Sequence, residues 1–173
     1  TTPAPLWSAA ALTSHPGVVA DIHRAHARAG ATVHTANTFR TTRRAAGPRW
    51  RTLTRTAVAL ARSVLPLGHR LAGSIAPLED CYSPARSPVN PGPEHALLAA
   101  ALVEAGCDLL LCETFPHIGE GLAAVEAAAE TGAEVWVSFT AGYRADLLTP
   151  EEIARGAEAA VERGAHAVLV NCI

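Results

Sequence analysis

This sequence contains neither methionine nor lysine, and aromatic residues make up only 5% of its 173 residues. All 14 basic residues are arginine, which we interpret as compositional bias without functional meaning. The absence of methionine suggests that the chain lacks its own start, although removal of an initiator methionine before Thr1 would leave the same sequence. Long apolar runs are also absent: the longest, from Ala96 to Val103, is far shorter than the roughly 20 residues of a membrane helix. We therefore expect no membrane span.

The chain carries little net charge. A net charge of -2 and a pI near 6.4 give no general attraction to nucleic acid or to an anionic membrane surface. The arginine-rich segment from Arg40 to Arg55 could bind nucleic acid, but the acidic residues elsewhere favour a solvated or anion-binding loop. No basic residue precedes Arg24, so nothing resembles a secretory signal. We expect a cytoplasmic protein whose partners are small molecules, with no nucleic acid and no membrane among them.

Four cysteines are dispersed through the chain, at Cys81, Cys107, Cys112 and Cys172. With 49% hydrophobic residues, a chain of this length can build one sizeable core without disulfides. Reduced thiols or a metal ligand are therefore favoured. The eight histidines show no H-E-x-x-H or other tight ligand spacing, and none is assigned to a metal.

Five times along the chain, an amphipathic helical stretch ends at a glycine that a short apolar run follows. Glycine is favoured there because helices often end in a left-handed residue, a conformation that costs glycine no steric strain. The glycines are Gly30, Gly68, Gly106, Gly132 and Gly164. The apolar runs, each predicted to be a parallel strand covered on both faces, are residues 31–38, 70–77, 107–114, 134–140 and 167–172.

Two helices have signals of their own. Thr149, Pro150 and Glu152 form a capping box, so a helix should begin there. Val18 and Ile22 begin an apolar stripe of helical period, which predicts a helix that turns these side chains toward a sheet. Strand and helix therefore alternate along the chain.

This alternation favours an α/β architecture with right-handed crossovers, either a doubly wound sheet or an eight-stranded barrel. No G-x-G-x-x-G follows the first strand, which weighs against a Rossmann fold. From Gly30 to Gly164 the repeat averages about 33 residues, so eight units need about 270 residues, close to the ~250 typical of a (β/α)8 barrel. We therefore predict a partial (β/α)8 TIM barrel with about five parallel strands and intervening helices.

Polar side chains stand at the carboxyl ends of the predicted strands, where parallel barrels carry their catalytic groups. They are Asn37 and Thr38, Ser74, Glu113 and Thr114, Ser138 and Thr140, and Asn171 and Cys172. The hydroxyls of Ser74, Ser138 and Thr140 are more typical of local backbone caps than of catalysis. Glu113 follows an apolar run, so its carboxylate needs a partner, either a ligand ammonium or an internal arginine. Cys172 is either a buried structural thiol or a metal ligand.

Five short motifs occur in the order found in a known family. They are Pro5-Leu6-Trp7-Ser8-Ala9, Ala29-Gly30-Ala31 leading to Thr35-Ala36-Asn37-Thr38-Phe39, Ala72-Gly73-Ser74-Ile75-Ala76-Pro77, Cys112-Glu113-Thr114-Phe115-Pro116 and Val170-Asn171-Cys172. Each motif alone is weak. Together, at barrel-strand spacing and along nearly the whole chain, they resemble the homocysteine S-methyltransferase family.

The resemblance implies a barrel in which three cysteine thiolates hold a zinc ion that binds the sulfur of homocysteine, and methylation of that sulfur gives methionine. Coordination to zinc keeps a thiol deprotonated at neutral pH, which suits this chemistry. Cys172 matches the first zinc ligand, and Glu113 matches the acidic residue that holds the substrate amino group. Asn37 and Thr38 lie in the matching strand-end motif and are assigned to substrate binding. We expect a sulfonium donor, S-methylmethionine or S-adenosylmethionine, because nothing here resembles a cobalamin or folate module.

The chain also departs from the family pattern. No Asp-Gly strand precedes Pro5, and the adjacent Cys-Cys pair that supplies the other two zinc ligands would follow Ile173 in the family's order. The three remaining cysteines do not match those positions. We therefore expect residues 1–173 to be a single homocysteine-binding domain without the first and last strands of its barrel, poorly active and poor in zinc binding.

Two other functions stay open. The chain could be a non-catalytic barrel fragment that covers its open sheet edges by association with itself or another chain. It could also be a metal-independent α/β enzyme that uses Glu113 as a general base. The sequence does not predict the oligomeric state.

Overall fold

The computed structural model describes residues 6–173 as five β-strands, seven α-helices and three short 3₁₀ turns. Pro5, which begins the first family-like motif, lies outside the described residues. The strands are β1 (Val33–Thr35), β2 (Arg70–Ile75), β3 (Leu109–Phe115), β4 (Glu134–Phe139) and β5 (Ala167–Val170). The helices are α1 (Ala11–Ser14), α2 (Pro16–Arg28), α3 (Arg43–Ala46), α4 (Trp50–Arg62), α5 (Gly92–Ala105), α6 (Ile118–Ala129) and α7 (Pro150–Glu162). Within this described range, no helix is both long and apolar enough to cross a membrane.

All five strands are parallel and form one sheet in the order β1-β2-β3-β4-β5. Because neighbours along the chain are also neighbours in the sheet, right-handed crossovers put the connecting helices on one face. A doubly wound sheet would require the strand order to reverse. The sheet is therefore a half-barrel, which confirms the predicted partial (β/α)8 architecture.

The convex face of the half-barrel carries the main core. Alternate strand residues point to it, among them Leu71, Ile75, Val135 and Val137, and they pack with the inward faces of α4 to α7. Residues of the opposite parity face the concave side. The polar groups at the strand ends are therefore free to line the barrel interior.

Local signals in the sequence explain where the helices end and begin. All five predicted glycine stops have positive φ. Gly106, with φ 100, ends α5, and the backbone N–H of Cys107 then donates to the carbonyl of Leu102 at 3.1 Å. The predicted capping box is present at α7, where Thr149 and Glu152 each accept a hydrogen bond from the other's backbone N–H.

The face that α2 buries differs from the predicted one. Val19 is buried, whereas Val18 and Ile22 are 54% and 52% exposed. Val19 packs in a small cluster with Leu12 of α1 and Leu53 of α4. The stripe that contains Val18 and the stripe that contains Val19 have the same helical period. Periodicity therefore predicts the helix but not which of its faces is buried.

An irregularity near the end of β3 positions the candidate site. Cys112 and Phe115 both pack in the convex core, although residues three apart in a regular strand face opposite sides. The register against β4 shifts between them, as in a β-bulge, and Thr114 takes φ 63. Positive φ is rare for a β-branched residue, and bulges commonly redirect side chains beside functional sites. Here the bulge turns Phe115 into the core and Thr114 toward the end of β5.

The arginine-rich segment is held in ion pairs. Arg44 contacts both Glu79 and Glu94, at 2.9 and 2.5 Å. Arg55 contacts Glu104 at 2.7 Å. The acidic partners come from residues outside the segment, so its positive charge is partly neutralised within the fold.

Candidate functional site

The carboxyl ends of the strands form a polar mouth on the concave side of the half-barrel. Ser74 of β2 donates a hydrogen bond to Glu113 of β3 at 2.5 Å. Ser138 of β4 donates one to Asn171, directly after β5, at 2.7 Å. Parallel strands end at the same edge, which is why residues far apart in the sequence meet there. These two serines join neighbouring strands and do not cap their own backbone, contrary to the sequence-based interpretation.

Glu113 is a half-buried carboxylate near the carboxyl end of β3. Burial raises the pKa of Glu113, and the hydrogen bond from Ser74 opposes that rise. None of the ion pairs found in residues 6–173 includes Glu113, so the internal arginine that the sequence allowed as a partner is not found there. A serine hydroxyl donates to one oxygen, and the carboxylate retains capacity to accept more hydrogen bonds.

Thr38 and Asn37 use their polar atoms within the fold. The fully buried hydroxyl of Thr38 accepts from the backbone N–H of Ser74 at 2.9 Å and donates to the Ser74 carbonyl at 2.9 Å. Asn37 accepts from the Ser8 hydroxyl at 2.8 Å and donates to the Ser8 carbonyl at 3.0 Å. Thr38 therefore extends the pairing of β1 with β2 beyond the end of β1, and it holds Ser74 beneath Glu113.

Substituting Thr38 by Val should destabilise the protein by about 1–3 kcal/mol, because the buried backbone N–H and carbonyl of Ser74 would lose their partner. Thr38→Ser keeps the hydroxyl and serves as the matched control. Urea unfolding of the two variants measures the difference. Equal midpoints for Thr38→Val and Thr38→Ser would contradict this structural role.

Cys172 lies two residues after β5, with an exposed side chain and φ 52. Its sulfur is 3.9 Å from the hydroxyl oxygen of Thr114. Its backbone carbonyl accepts a hydrogen bond from Thr140 at 2.9 Å. Because Thr114 directly follows Glu113 in β3, the thiol and the carboxylate belong to the same mouth.

The other cysteines lie in different surroundings. Cys112 is in the convex core, and Cys107 lies beside Gly73 and Leu102, near the amino end of β3. Burial raises the pKa of Cys107 to about 12 and that of Cys81 to about 11. Burial therefore keeps both thiols protonated at neutral pH when no metal is bound.

No group of three or more His, Cys, Asp or Glu side chains within residues 6–173 is placed to hold a metal ion. A zinc site needs three or four protein ligands, and Cys172 offers one thiolate. The described residues therefore do not form a zinc site on their own.

A buried carboxylate that sequence reasoning missed anchors the loop between β2 and α5. Glu120 is 2% exposed and accepts hydrogen bonds from the backbone N–H of Leu78 at 2.8 Å and the hydroxyl of Ser87 at 2.5 Å. Nε2 of the buried His95 lies 3.4 Å from it, which is long for a hydrogen bond. In the sequence Glu120 is the acidic residue of a helix first turn, typical of a cap, and nothing signals its contact with a loop 33 to 42 residues earlier.

This anchored loop brings Tyr82 to the mouth. Burial and the neighbouring Cys172 thiol raise the pKa of Tyr82. Cys81, next to it, is buried and interacts electrostatically with Cys172. Sequence spacing gave no indication that this loop meets the end of β5.

The sequence matches the family model described as homocysteine S-methyltransferase over residues 1–173. It is 30% identical over 169 residues to the S-methylmethionine–homocysteine S-methyltransferase BHMT2 of Mus musculus, a match that covers 96% of this chain and 46% of that protein. The corresponding protein of Rattus norvegicus is 29% identical over the same coverage. The chain thus spans about half the length of the curated relatives it matches.

The fold is similar to a solved homocysteine methyltransferase, MmuM from Escherichia coli. Its metallated form superposes with a TM-score of 0.71 and 19% identity, covering 99% of this chain and 85% of that one. This superposition establishes the shared fold, but at so low an identity the function has to be argued from the site.

Proposed function

Because the chain belongs to the homocysteine S-methyltransferase family, we propose that it supplies the homocysteine-binding side of a methyltransferase site. In this proposal the carboxylate of Glu113 holds the substrate ammonium, and the sulfur of homocysteine lies beside Cys172. Ser74, Thr38 and Asn37 act on binding by keeping the Glu113 side of the mouth in place.

The observation that carries the proposal is the position of Glu113. Its carboxylate faces the concave side, is held by one hydroxyl and has no cation in its ion-pair range among residues 6–173. A half-buried carboxylate in these surroundings favours a cationic ligand, since an ammonium would compensate the cost of desolvating its charge. An α-amino acid presents such an ammonium.

The reaction itself is a displacement at a methyl carbon. The homocysteine thiol loses its proton, its sulfur forms a bond to the methyl group, and the sulfonium–carbon bond of the donor breaks. The donor leaves as a neutral thioether, so homocysteine becomes methionine. We propose S-methylmethionine or S-adenosylmethionine as the donor, in keeping with the curated relatives, whose names specify S-methylmethionine.

Cys172 is proposed as one thiolate ligand of zinc, with the remaining ligands not supplied by the described residues. Bound zinc would hold the homocysteine sulfur in its deprotonated form. What this chain's own residues supply is a fixed thiol at the end of β5 and a carboxylate at the end of β3.

The test is methionine formation from homocysteine by the full protein, with each sulfonium donor in turn and with bound zinc measured on the same sample. We expect methionine with at least one donor and loss of activity with a chelator. No methionine with either donor, together with no bound zinc, would refute the proposal. Activity that a chelator leaves intact would favour the metal-independent enzyme.

A second candidate function, association through the edge of the sheet, has an observation of its own. Leu169, Val170 and Ile173 are 40%, 48% and 74% exposed, and Val170 and Ile173 line an apolar hollow with Tyr143 and Ile153. Exposed apolar edge strands favour pairing with another chain. Size-exclusion chromatography of the assayed sample distinguishes the two: an inactive, zinc-free oligomer supports association alone.

A further inference from the structure

We propose that Thr114 is a positioning residue that donates its hydroxyl proton to the Cys172 sulfur, and that Asn171 sets the direction of this hydrogen bond. The inference rests on the proposed function in assigning Cys172 to the reaction site. The arrangement of side chains on which it stands is independent of that function.

Three consecutive contacts link β4, β5 and β3 across the mouth. The Ser138 hydroxyl donates to Oδ1 of Asn171 at 2.7 Å. Nδ2 of Asn171 donates to Oγ1 of Thr114 at 2.9 Å. Oγ1 of Thr114 lies 3.9 Å from Sγ of Cys172, within hydrogen-bond range for sulfur.

These contacts form one continuous sequence of donation when the Cys172 sulfur is the final acceptor. Ser138 gives its proton to the amide oxygen, which turns the amide nitrogen toward Thr114. The Thr114 oxygen accepts from that nitrogen and so has its own proton free for another acceptor. In our proposal that proton goes to the sulfur of Cys172, which lies within hydrogen-bond range of the Thr114 oxygen.

The backbone supports a functional reading of these contacts. Thr114 has φ 63 and Cys172 has φ 52, both in the left-handed region that non-glycine residues rarely adopt. Such conformations persist where surrounding contacts impose them, and they cluster at functional sites. At Thr114 the bulge in β3 supplies the constraint, and at Cys172 the hydrogen bond from Thr140 to its carbonyl does so.

The consequence is a thiol held in one orientation at the mouth. Tyr82, the other hydroxyl that interacts with the exposed Cys172 thiol within residues 6–173, lies on a loop and is 45% exposed. Thr114 belongs to the sheet and is 2% exposed, so it is the more rigid of the two. Asn171 thus acts on the thiol through Thr114.

The test measures the orientation of Cys172 directly, by three-bond Hα–Hβ couplings in the full protein labelled at cysteine, without substrate or metal. Wild type and Thr114→Ser should show one χ1 rotamer for Cys172. Thr114→Val removes the donor and should average the rotamers. Asn171→Asp is nearly isosteric but only accepts, so it draws the Thr114 proton away from the sulfur and should give the same averaging.

Activity provides the second readout. In the same two variants we expect kcat/KM for homocysteine methylation to fall roughly 10- to 100-fold, a typical loss for residues that orient a ligand. Circular dichroism shows whether each variant is folded, and Asn171→Asp serves if Thr114→Val is not. A single, unchanged Cys172 rotamer in folded Asn171→Asp would overturn the inference whether or not the enzyme is active. If the wild type forms no methionine with either donor and binds no zinc, averaged rotamers in the variants would leave the inference standing while the proposed function is refuted.

Discussion

Replacing Glu113 by Gln should weaken homocysteine binding roughly 10- to 150-fold, which corresponds to the about 1.5–3 kcal/mol of a hydrogen bond to a charged group. Glutamine keeps the shape of the side chain and can accept from Ser74, but it has no charge to offer an ammonium. Isothermal titration of the full protein with homocysteine measures the change in Kd.

The matched control is Glu134→Gln. Glu134 also lies on the concave side, but at the amino end of β4, where Arg70 contacts it at 2.6 Å and Trp136 donates to it at 2.7 Å. Its substitution should leave homocysteine binding unchanged. Equal loss of affinity in both variants would mean that Glu113 has no specific part in binding.

Glu113→Gln should also stabilise the protein in the absence of ligand. Burial raises the pKa of Glu113 in the folded state, so folding favours the protonated carboxyl. The stability from this group is fully present below its unfolded pKa of about 4.3 and is lost as pH rises through the folded pKa. Above the folded pKa the ionised Glu113 is therefore a cost that Gln removes, and thermal unfolding there should show a higher Tm for Glu113→Gln. Homocysteine affinity of the wild type should fall as the pH drops through the raised pKa.

Replacing Glu120 by Ala should destabilise the protein by about 3–5 kcal/mol, the usual cost of removing one member of a buried, hydrogen-bonded charged cluster. The backbone N–H of Leu78 and the hydroxyl of Ser87 would lose their acceptor, and buried His95 would lose the charge beside it. The loop between β2 and α5 should open, so trypsin should cleave after Arg86 far faster than in the wild type.

Glu126→Ala is the control on the same helix. Glu126 is exposed and contacts Arg163 at 2.6 Å, so its loss should cost less than about 1 kcal/mol. Urea unfolding compares the variants. If Glu120→Ala is no less stable than Glu126→Ala, Glu120 does not anchor the loop.

The pH dependence provides an independent check on Glu120. Burial by itself would raise its pKa, but the neighbouring His95 and the hydrogen bonds from the Leu78 N–H and the Ser87 hydroxyl outweigh burial and lower it. A depressed folded pKa contributes stability above the unfolded value of about 4.3, and this contribution is lost as pH falls through the folded pKa. Wild type should therefore lose more stability than Glu120→Ala between neutral pH and the acid range.

Much of the fold could be predicted because its signals are local. The five glycine stops all have positive φ, and the capping box at Thr149 begins α7 as expected. The apolar runs became parallel strands within a few residues of their predicted bounds. For α2 the local signal was insufficient: Val18 and Val19 lie on neighbouring stripes of one helix, and only the packing partner of α2 decides between them.

In the candidate site, too, the positions of residues along the chain were predictable and their tertiary contacts were not. That Glu113, Asn171 and Cys172 stand at strand ends follows from the sequence, because alternation and strand length place them there. Their functional roles remain predictions. Which groups they meet was not predictable, since Ser74 binds Glu113 across 39 residues and Asn171 binds Thr114 across 57.

The order of strands and helices, the ends of the helices and the polar character of the strand ends are properties of short segments, set by backbone sterics and by hydrophobic periodicity. Other features depend on register and packing between distant segments. They are the bulge that turns Thr114 toward Cys172, the loop that Glu120 anchors and the hydrogen bonds of Thr38 to the Ser74 backbone. Hydrogen bonds between such segments form only when the sheet aligns their ends to within an ångström or so. Tertiary structure alone therefore decided how the polar residues of the mouth combine into a site.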